Sequence, residues 1–361
     1  MRKLHFTLAL ALVFLLVSLA GTHGTAQPFP GKGGQNVQTL FDGSQLVVLG
    51  VAEGTRAIGE ESQASDGPSA ARELTMSSLV RVDEAYKGTA GETIEVRFVT
   101  QAPQSVMLGP TLSDGERVLL FLNQAPGGTY GFTDRFWGKF NASGIAGTAA
   151  EAGPEGLARD LTRALTGCGA GSAAALDILQ GYRHISPETE AQVAQCFAAG
   201  SSQLAPDALC VLLAAGGPKY FPVARDFLRA HGASLAGEQI FLLSGRIREF
   251  GPGADPLVIA DLSDFPNRAI QTAALDALDE LKSPATVERI LRHLDDPDPV
   301  IQWKTFYVLE RVTDPHGQNT GGDYSPTVSD FQQNPGHFTR IWKDWWTKSG
   351  RAQYAGVPVA H

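Results

Sequence analysis

The sequence predicts a multidomain chain of the β + α class, in which a small antiparallel β-barrel is followed by an α-solenoid of helical hairpins. Three observations predict this architecture. Short apolar segments separated by glycine-rich turns occupy residues 39–145. A helical apolar period runs through residues 156–350 and contains an internal repeat. The stretch between them, 146–155, is rich in small residues and is predicted to be a linker.

The N-terminal residues predict that the chain is exported. Arg2 and Lys3 precede an almost wholly apolar run over 4–20, and small residues follow. This is the pattern of a cleavable signal peptide, which we place at 1–26. A membrane anchor is the alternative, but the run is short for a bilayer span and no positive flank follows it. We expect a periplasmic or extracellular protein, without membrane insertion after signal cleavage, that begins with a linker at 27–38.

The charge of the chain disfavours two classes of partner. The formal net charge is −9, and loss of Arg2 and Lys3 with the signal peptide would make it −11. An acidic chain without a basic cluster is a poor binder of nucleic acid. The same charge opposes docking on an anionic lipid surface. We therefore expect neither nucleic acid nor a membrane as a partner.

Six short segments in the N-terminal part have the composition of strands. They lie at 46–52, 74–82, 94–98, 118–122, 130–133 and 136–140. The first and fourth are continuous apolar runs, whereas apolar and polar residues alternate in the second and third. Residues 54–72 are polar and rich in small side chains, and we interpret them as a flexible surface insertion. Many short strands with glycine-rich turns predict a barrel or a sandwich.

The order of these strands and turns resembles the netrin-like module, an OB-fold barrel that also occurs in tissue inhibitors of metalloproteinases and in exported bacterial proteins. The segments that carry the resemblance are QLVVLGVAEG, SLVRVDEAYKG, TIEVRFVTQAPQSVMLG, GERVLLFLNQ and GGTYGF. In the inhibitors, the N-terminal cysteine of the mature chain binds the catalytic zinc of the protease. No cysteine precedes Cys168 in this chain, so the resemblance implies the fold without that mode of inhibition.

A repeat is visible in the C-terminal part. Pro266 and Pro297 lie 31 positions apart, and so do Ile270 and Ile301. Each unit consists of an acidic turn with a proline, a helix, a short turn and a second helix. One helical hairpin cannot bury its apolar face alone, so we expect the hairpins to stack.

The repeated segments NRAIQTAALDALDEL and DPVIQWKTFYVLERV resemble the short repeats of HEAT-like proteins. The resemblance covers residues 254–313, and degenerate units extend it over 156–253. It implies an extended, curved surface that binds a protein partner.

The helical part is predicted to end in an aromatic cap. One face of the segment HFTRIWKDWWTKSG carries Phe338, Ile341, Trp342, Trp345 and Trp346. We predict that this face seals the last hairpin, because the end of an array must be covered. Ligand binding by the aromatic side chains is the alternative. Residues 351–361 are predicted to form a tail.

The chain has three cysteines, Cys168, Cys196 and Cys210. In an oxidising compartment two of them could pair, and Cys196 with Cys210 is the candidate disulfide because these two are closest in sequence. The alternative is that all three are small buried side chains in helices. No C-x-x-C motif occurs, so a zinc ribbon is not expected.

The long connection at 313–337 is the candidate partner-binding site, through His316, Asp323, Tyr324 and His337. Loops of this length are often functional. The aspartates and histidines could also bind a metal, but their spacing matches no metal motif. We therefore expect no metal and no cofactor.

The sequence offers no convincing catalytic group. His293 near Asp295 and Asp296 could act as a base, but we favour a structural interpretation, in which an imidazolium at a helix C-terminus interacts well with the helix dipole and the aspartates begin the next helix. No nucleophile elbow, metalloprotease motif or nucleotide-binding motif occurs. We expect no catalytic residues.

These observations favour a non-catalytic exported protein that binds or scaffolds a protein partner through the solenoid surface and the barrel. One alternative is a barrel that acts as a protease-inhibitor-like or carbohydrate-binding module. Another is a hydrolase with a site between the two domains. An enzyme would show a pocket in which polar groups converge on a reacting atom, whereas a scaffold would show a broad groove with exposed side chains.

Overall fold

The chain forms a six-stranded sheet followed by helices. The structure is a computed structural model and describes residues 36–61, 72–102, 110–134, 137–148, 151–199, 204–313 and 328–358. The predicted signal peptide and residues 27–35 of the predicted 27–38 linker lie outside the described residues. The predicted order of a β part before an α part is confirmed.

Each of the six strands overlaps one of the predicted segments. Their bounds are β1 Leu46–Glu61, β2 Arg72–Lys87, β3 Thr93–Ala102, β4 Arg117–Ala125, β5 Thr129–Phe132 and β6 Lys139–Asn141. β1 and β2 are longer than predicted, and β6 begins only at Lys139. β1 pairs with both β2 and β4, and β2 pairs with β3. β5 lies between β3 and β4, while β6 pairs with β4. The strand pairs thus run from β1 through β2, β3, β5 and β4 and return to β1.

The continuous apolar runs in β1 and β4 are explained by burial on both faces of the sheet. In β1, Val47 and Leu49 belong to a core shared with the helices, whereas Leu46 and Val48 belong to a second core enclosed by the strands. Alternate residues of β4 divide between the same two cores. A strand that is buried on both faces does not need an alternating pattern.

The interpretation of 54–72 as a flexible insertion is wrong at both of its ends. β1 continues to Glu61, and β2 begins at Arg72. These outer parts pair with each other, with register shifts between Glu53 and Arg56 and between Ala57 and Gly59. Pairing satisfies the backbone hydrogen bonds of polar strands, and the bulges absorb the irregular pattern. Residues 62–71 lie outside the described residues.

A short helix precedes the sheet, where the sequence predicts a linker followed directly by the barrel. α1 spans Val37–Gly43, and the side chain of Asn36 caps it by accepting from the backbone N–H groups of Gln38 and Thr39 at 2.8 and 3.4 Å. The backbone N–H of Val37 donates to the carbonyl of Gly181 at 2.8 Å. This helix is too short to show a helical period.

The helices that follow the sheet keep the predicted repeat. Their bounds are α2 Pro154–Ala164, α3 Ser172–Leu179, α4 Pro187–Ala198, α5 Leu204–Ala215, α6 Phe221–His231, α7 Gly237–Phe250, α8 Pro256–Leu262, α9 Arg268–Leu281, α10 Val287–Ile290, α11 Pro299–Thr313, α12 Val328–Gln333, α13 Pro335–Trp345 and α14 Arg351–Tyr354. The starts of α7, α9 and α11 lie 31 residues apart, as do those of α8 and α10. α3, α5, α7, α9 and α11 contact one another in succession, and so do α6, α8 and α10.

The sheet and the first helices share one buried core. The hydroxyl of Tyr86 on β2 donates to the carboxylate of Asp160 on α2 at 2.8 Å, and both side chains are buried. The hydroxyl of Thr148 and the guanidinium of Arg163 donate to the same carboxylate, each at 2.8 Å. Burial and the carboxylate together raise the pKa of Tyr86. The predicted 146–155 linker is therefore attached to both parts, since Gly153 N–H also donates to the Tyr86 carbonyl at 2.7 Å.

The aromatic residues near the C-terminus pack against α11. The ring centroid of the buried Trp342 lies 5.8 Å from that of Phe306, with the rings at 88°. Phe331 on α12 packs between Trp303 and Phe338, at centroid distances of 5.4 and 6.1 Å. The aromatic face thus covers α11, as the cap prediction requires.

We expect Trp342→Ala to lower the free energy of unfolding by about 3–5 kcal/mol, because truncation of a buried tryptophan removes its contacts and leaves a cavity. Urea denaturation followed by circular dichroism measures the change. Phe241→Ala is the control, because Phe241 is exposed and surface changes cost about 0.5 kcal/mol or less. Equal losses in the two variants would contradict the role of Trp342 as the cap.

Candidate functional site

The structure does not bring the predicted loop site together. His316, Asp323 and Tyr324 lie outside the described residues. His337 is described, and it is exposed in the first turn of α13 with its ring centroid 5.1 Å from that of Phe338. The expectation of a continuous 313–337 loop is wrong, since α12 forms within it and its Phe331 is buried. Phe331 reaches the aromatic cluster, and the burial of its side chain stabilises a helix in this part of the predicted loop.

The predicted disulfide also needs correction. Cys196 pairs with Cys168, at a Cα–Cα distance of 5.3 Å, and not with Cys210. The disulfide joins the 3₁₀ turn Thr166–Cys168 to α4, which carries Cys196. Cys210 is a buried free thiol on α5. Burial raises the pKa of the Cys210 thiol to about 12. Spatial distance decides the pairing, and closeness in sequence does not reveal it.

A cavity of about 580 Å³ opens between α6 and α8. Its walls are formed by Arg225 and Arg229 of α6, by Asp261 of α8, and by the turns that lead into α7 and α9. Leu228, Ile240 and Leu262 provide apolar surface. The ring of Phe265 packs against Gly232, where an added Cβ would lie 2.1 Å from the ring, so a larger residue here would displace Phe265 from the cavity wall.

Three arginines from two helices surround one carboxylate at the cavity. Asp261 lies 3.4 Å from a guanidinium nitrogen of Arg225 and 3.8 Å from one of Arg229, and it also pairs with Arg289 of α10. Arg225 and Arg229 are four residues apart on a helix, so they share one face. Arg225 is also paired with Asp226, which raises the pKa of its guanidinium.

A fourth arginine extends this group along the same row of helices. Arg292, which follows α10, pairs with Asp264, which follows α8. The side chains of Arg229 and Arg292 are 57% and 52% exposed, so both retain donors that face solvent. We call Arg225, Arg229, Arg289 and Arg292 the arginine cluster. Together with Asp226, Asp261 and Asp264 they carry a formal charge of +1 in a chain of net charge −9.

Ser263, His293 and Asp264 lie together beside the cavity but do not form a catalytic triad. The Nε2 atom of His293 is 2.9 Å from the Ser263 hydroxyl oxygen and 3.2 Å from Asp264, so one ring nitrogen serves both neighbours. A triad requires the serine and the carboxylate on opposite ring nitrogens. The Ser263 hydroxyl donates to the carbonyl of Ala260 at 2.7 Å, and the serine is buried. Its oxygen is therefore not prepared for attack on a substrate.

No protein-family model, curated protein or solved structure matches this chain. Within the part of the chain that the structure describes, no helix is long and apolar enough to cross a membrane. The same described residues contain no group of three or more histidine, cysteine, aspartate or glutamate side chains that could hold a metal ion.

The arginine cluster was not predicted from the sequence, although the sequence contains a regular spacing of acidic and basic residues that indicates it. Four ion pairs join residues that are 28 positions apart: Arg248 with Asp276, Asp261 with Arg289, Asp264 with Arg292, and Asp276 with Lys304. This spacing is shorter than the 31-residue repeat because each pair joins a later position of one unit to an earlier position of the next. A search for acidic and basic residues that are separated by slightly less than the repeat length would have found these pairs.

We expect alkylation of the unfolded, unreduced protein to modify one thiol, that of Cys210, because Cys168 and Cys196 are joined. The native protein should react slowly, since burial disfavours the thiolate. Peptide mapping by mass spectrometry measures which thiols are alkylated in the unfolded protein and how fast the Cys210 thiol reacts in the native protein. Three alkylated thiols, or a peptide that links Cys196 to Cys210, would contradict the pairing.

Proposed function

We propose that this chain is an exported binding protein whose helices hold an acidic segment of a protein partner. The observation that carries the proposal is the arginine cluster, of which Arg225 and Arg229 line an open cavity, in an otherwise acidic chain. The cluster is built from helices α6 and α10 and the turn that follows α10, so it spans several helices rather than one loop. A surface that extends over successive helices is typical of proteins that bind extended segments of other proteins.

The proposed architecture is an α-solenoid of HEAT-like hairpins attached to an OB-like barrel. For the solenoid, the support is the 31-residue spacing of helix starts and the two series of helices that contact one another in succession. For the barrel, the support is the path of strand pairs that returns to β1. Gly50 of β1 pairs with both β2 and β4, and a Cβ there would lie 2.4 Å from the carbonyl oxygen of Arg81. A glycine at such a position allows a strand to bend sharply.

Export is part of the proposal. The N-terminal sequence has the pattern of a signal peptide. The disulfide between Cys168 and Cys196 supports the same location, because disulfides persist in oxidising compartments and are rare in the cytosol.

The chemistry of the arginine cluster favours carboxylates as ligands. A guanidinium presents paired donors that match a carboxylate, and arginine binds such groups more specifically than lysine does. Asp261 occupies the inner side of the cluster, while Arg229 and Arg292 remain half exposed. Exposed ion pairs contribute about 0–1 kcal/mol, so a carboxylate from a partner can replace or share them at small cost. The apolar wall of Leu228, Ile240 and Leu262 would contact the side-chain carbons of the bound segment.

We expect a fluorescently labelled glutamate oligomer to bind the mature protein, and a double variant with Arg229→Ala and Arg292→Ala to bind it about tenfold or more weakly, which corresponds to about 1.4 kcal/mol. Fluorescence anisotropy at low salt measures both affinities, and added salt should weaken the binding. Arg159→Ala is the matched control, because Arg159 lies on α2 away from the cavity, is 52% exposed and is ion-paired with Glu151.

The control should bind like the unchanged protein, and all variants should keep the same melting temperature. Equal affinity of the double variant and the control would show that the arginine cluster is not the docking site. No binding by the unchanged protein would contradict the proposed function.

A further inference from the structure

The cavity beside the arginine cluster has more room than a carboxylate needs. Its volume is about 580 Å³, within the range of about 300–1,000 Å³ that is common for sites that bury a whole organic group. Among the described residues, Arg225 and Arg229 of the cluster line the cavity, whereas Arg289 and Arg292 do not. The arginines therefore account for only part of the lining, and the remaining side chains indicate what else the cavity can hold.

Much of the remaining lining is apolar and comes from four separate segments. Leu228 of α6 and Ile240 of α7 are buried at the cavity. Leu235 and Phe265, in the turns that lead into α7 and α9, are only partly buried, and Pro266 beside Phe265 is exposed. Apolar side chains that remain accessible in a concave site are typical of a place where a ligand covers them.

Phe265 is held in the cavity wall before any ligand binds. Its ring packs on the backbone of the buried Gly232, so closely that an added Cβ would lie 2.1 Å from the ring. The backbone N–H of Phe265 donates to the carbonyl of Leu262 at 3.1 Å, and the carbonyl of Phe265 accepts from the N–H of Asn267 at 2.7 Å. A wall that is already ordered loses little conformational entropy on binding.

Charge and length favour a segment of a protein as the occupant. An apolar side chain fits the apolar lining, and a carboxylate next to it fits the guanidinium groups of Arg225 and Arg229. The arginine cluster continues past the cavity to Arg292, which follows α10 and is 52% exposed. A ligand that uses the whole cluster must extend beyond the cavity, as a polypeptide does and a small carboxylic acid does not.

We propose that the cavity holds a leucine or phenylalanine side chain of the partner protein, and that acidic residues beside it in the partner's chain bind the arginine cluster. This inference rests on the proposed function and adds an apolar requirement to the acidic one. Phe265 and Leu235 contact the apolar side chain, while Arg229 and Arg292 bind the carboxylates. A purely acidic segment would leave the apolar lining uncovered and would bind more weakly.

Fluorescence anisotropy with labelled peptides of equal charge tests the inference. The two probes are hexaglutamate with one central residue replaced by phenylalanine and the same peptide with serine at that place, and unchanged hexaglutamate is measured beside them. We expect the phenylalanine peptide to bind the mature protein about tenfold more tightly than the serine peptide, a difference of about 1.4 kcal/mol.

Phe265→Ala should remove this preference and leave the affinity for the serine peptide unchanged, because the arginines stay in place. Leu235→Ala is a second variant that should reduce the preference, and it replaces Phe265→Ala if that variant has a lower melting temperature. Phe241→Ala is the matched control, because Phe241 is 53% exposed and does not line the cavity.

Binding of hexaglutamate without any preference for the phenylalanine peptide would overturn this inference and leave the proposed function standing. Absence of binding by all three peptides would contradict both. A preference that persists in Phe265→Ala and in Leu235→Ala would show that the apolar side chain does not enter the cavity. Displacement of the phenylalanine peptide by an equal concentration of 3-phenylpropionate would overturn a protein segment as the occupant.

Discussion

The burial of one face of the sheet against the first helices is the constraint on which the rest of the structure depends. Val47 and Leu49 of β1 enter the same core as Leu161 of α2, and the hydrogen bond from Tyr86 to Asp160 crosses the boundary. A buried carboxylate is tolerated because its oxygens accept several hydrogen bonds. The hydrogen bond across the boundary makes the junction specific, since a shift of α2 along the sheet would leave the buried Tyr86 hydroxyl without its acceptor.

This junction fixes where the helices begin, and the repeat then places the arginine cluster. Because α3, α5, α7, α9 and α11 contact one another in succession, α7 lies between the helices next to the sheet and the last hairpins. Gly237 and Ile240 of α7 line the cavity beside the arginine cluster. Surface ion pairs between successive helices, such as Asp276 with Arg248 and Lys304, contribute less to stability than to the register of the helices.

The order of strands, the helical repeat and the aromatic cap were predictable because each depends on a local apolar pattern. The outer halves of β1 and β2 were not, since polar strands such as that around Arg56 are held by pairing alone. The disulfide partner of Cys196 and the helix that contains Phe331 depend on distances between segments, which spacing does not encode. The arginine cluster combines side chains from several helices, and the only sign of it in the sequence is the 28-residue spacing of two of its ion pairs.

Hydrogen exchange measured by mass spectrometry on Asp160→Ala tests the shared core most directly. Loss of this carboxylate leaves the Tyr86 hydroxyl buried without its acceptor, at a cost of about 1–3 kcal/mol. Because the strand and the helix are stabilised together, we predict faster exchange both in the β2 peptides around Tyr86 and in α2, relative to an Asp226→Ala control. Faster exchange in α2 alone, with β2 unchanged, would contradict a core that the sheet and the helices share.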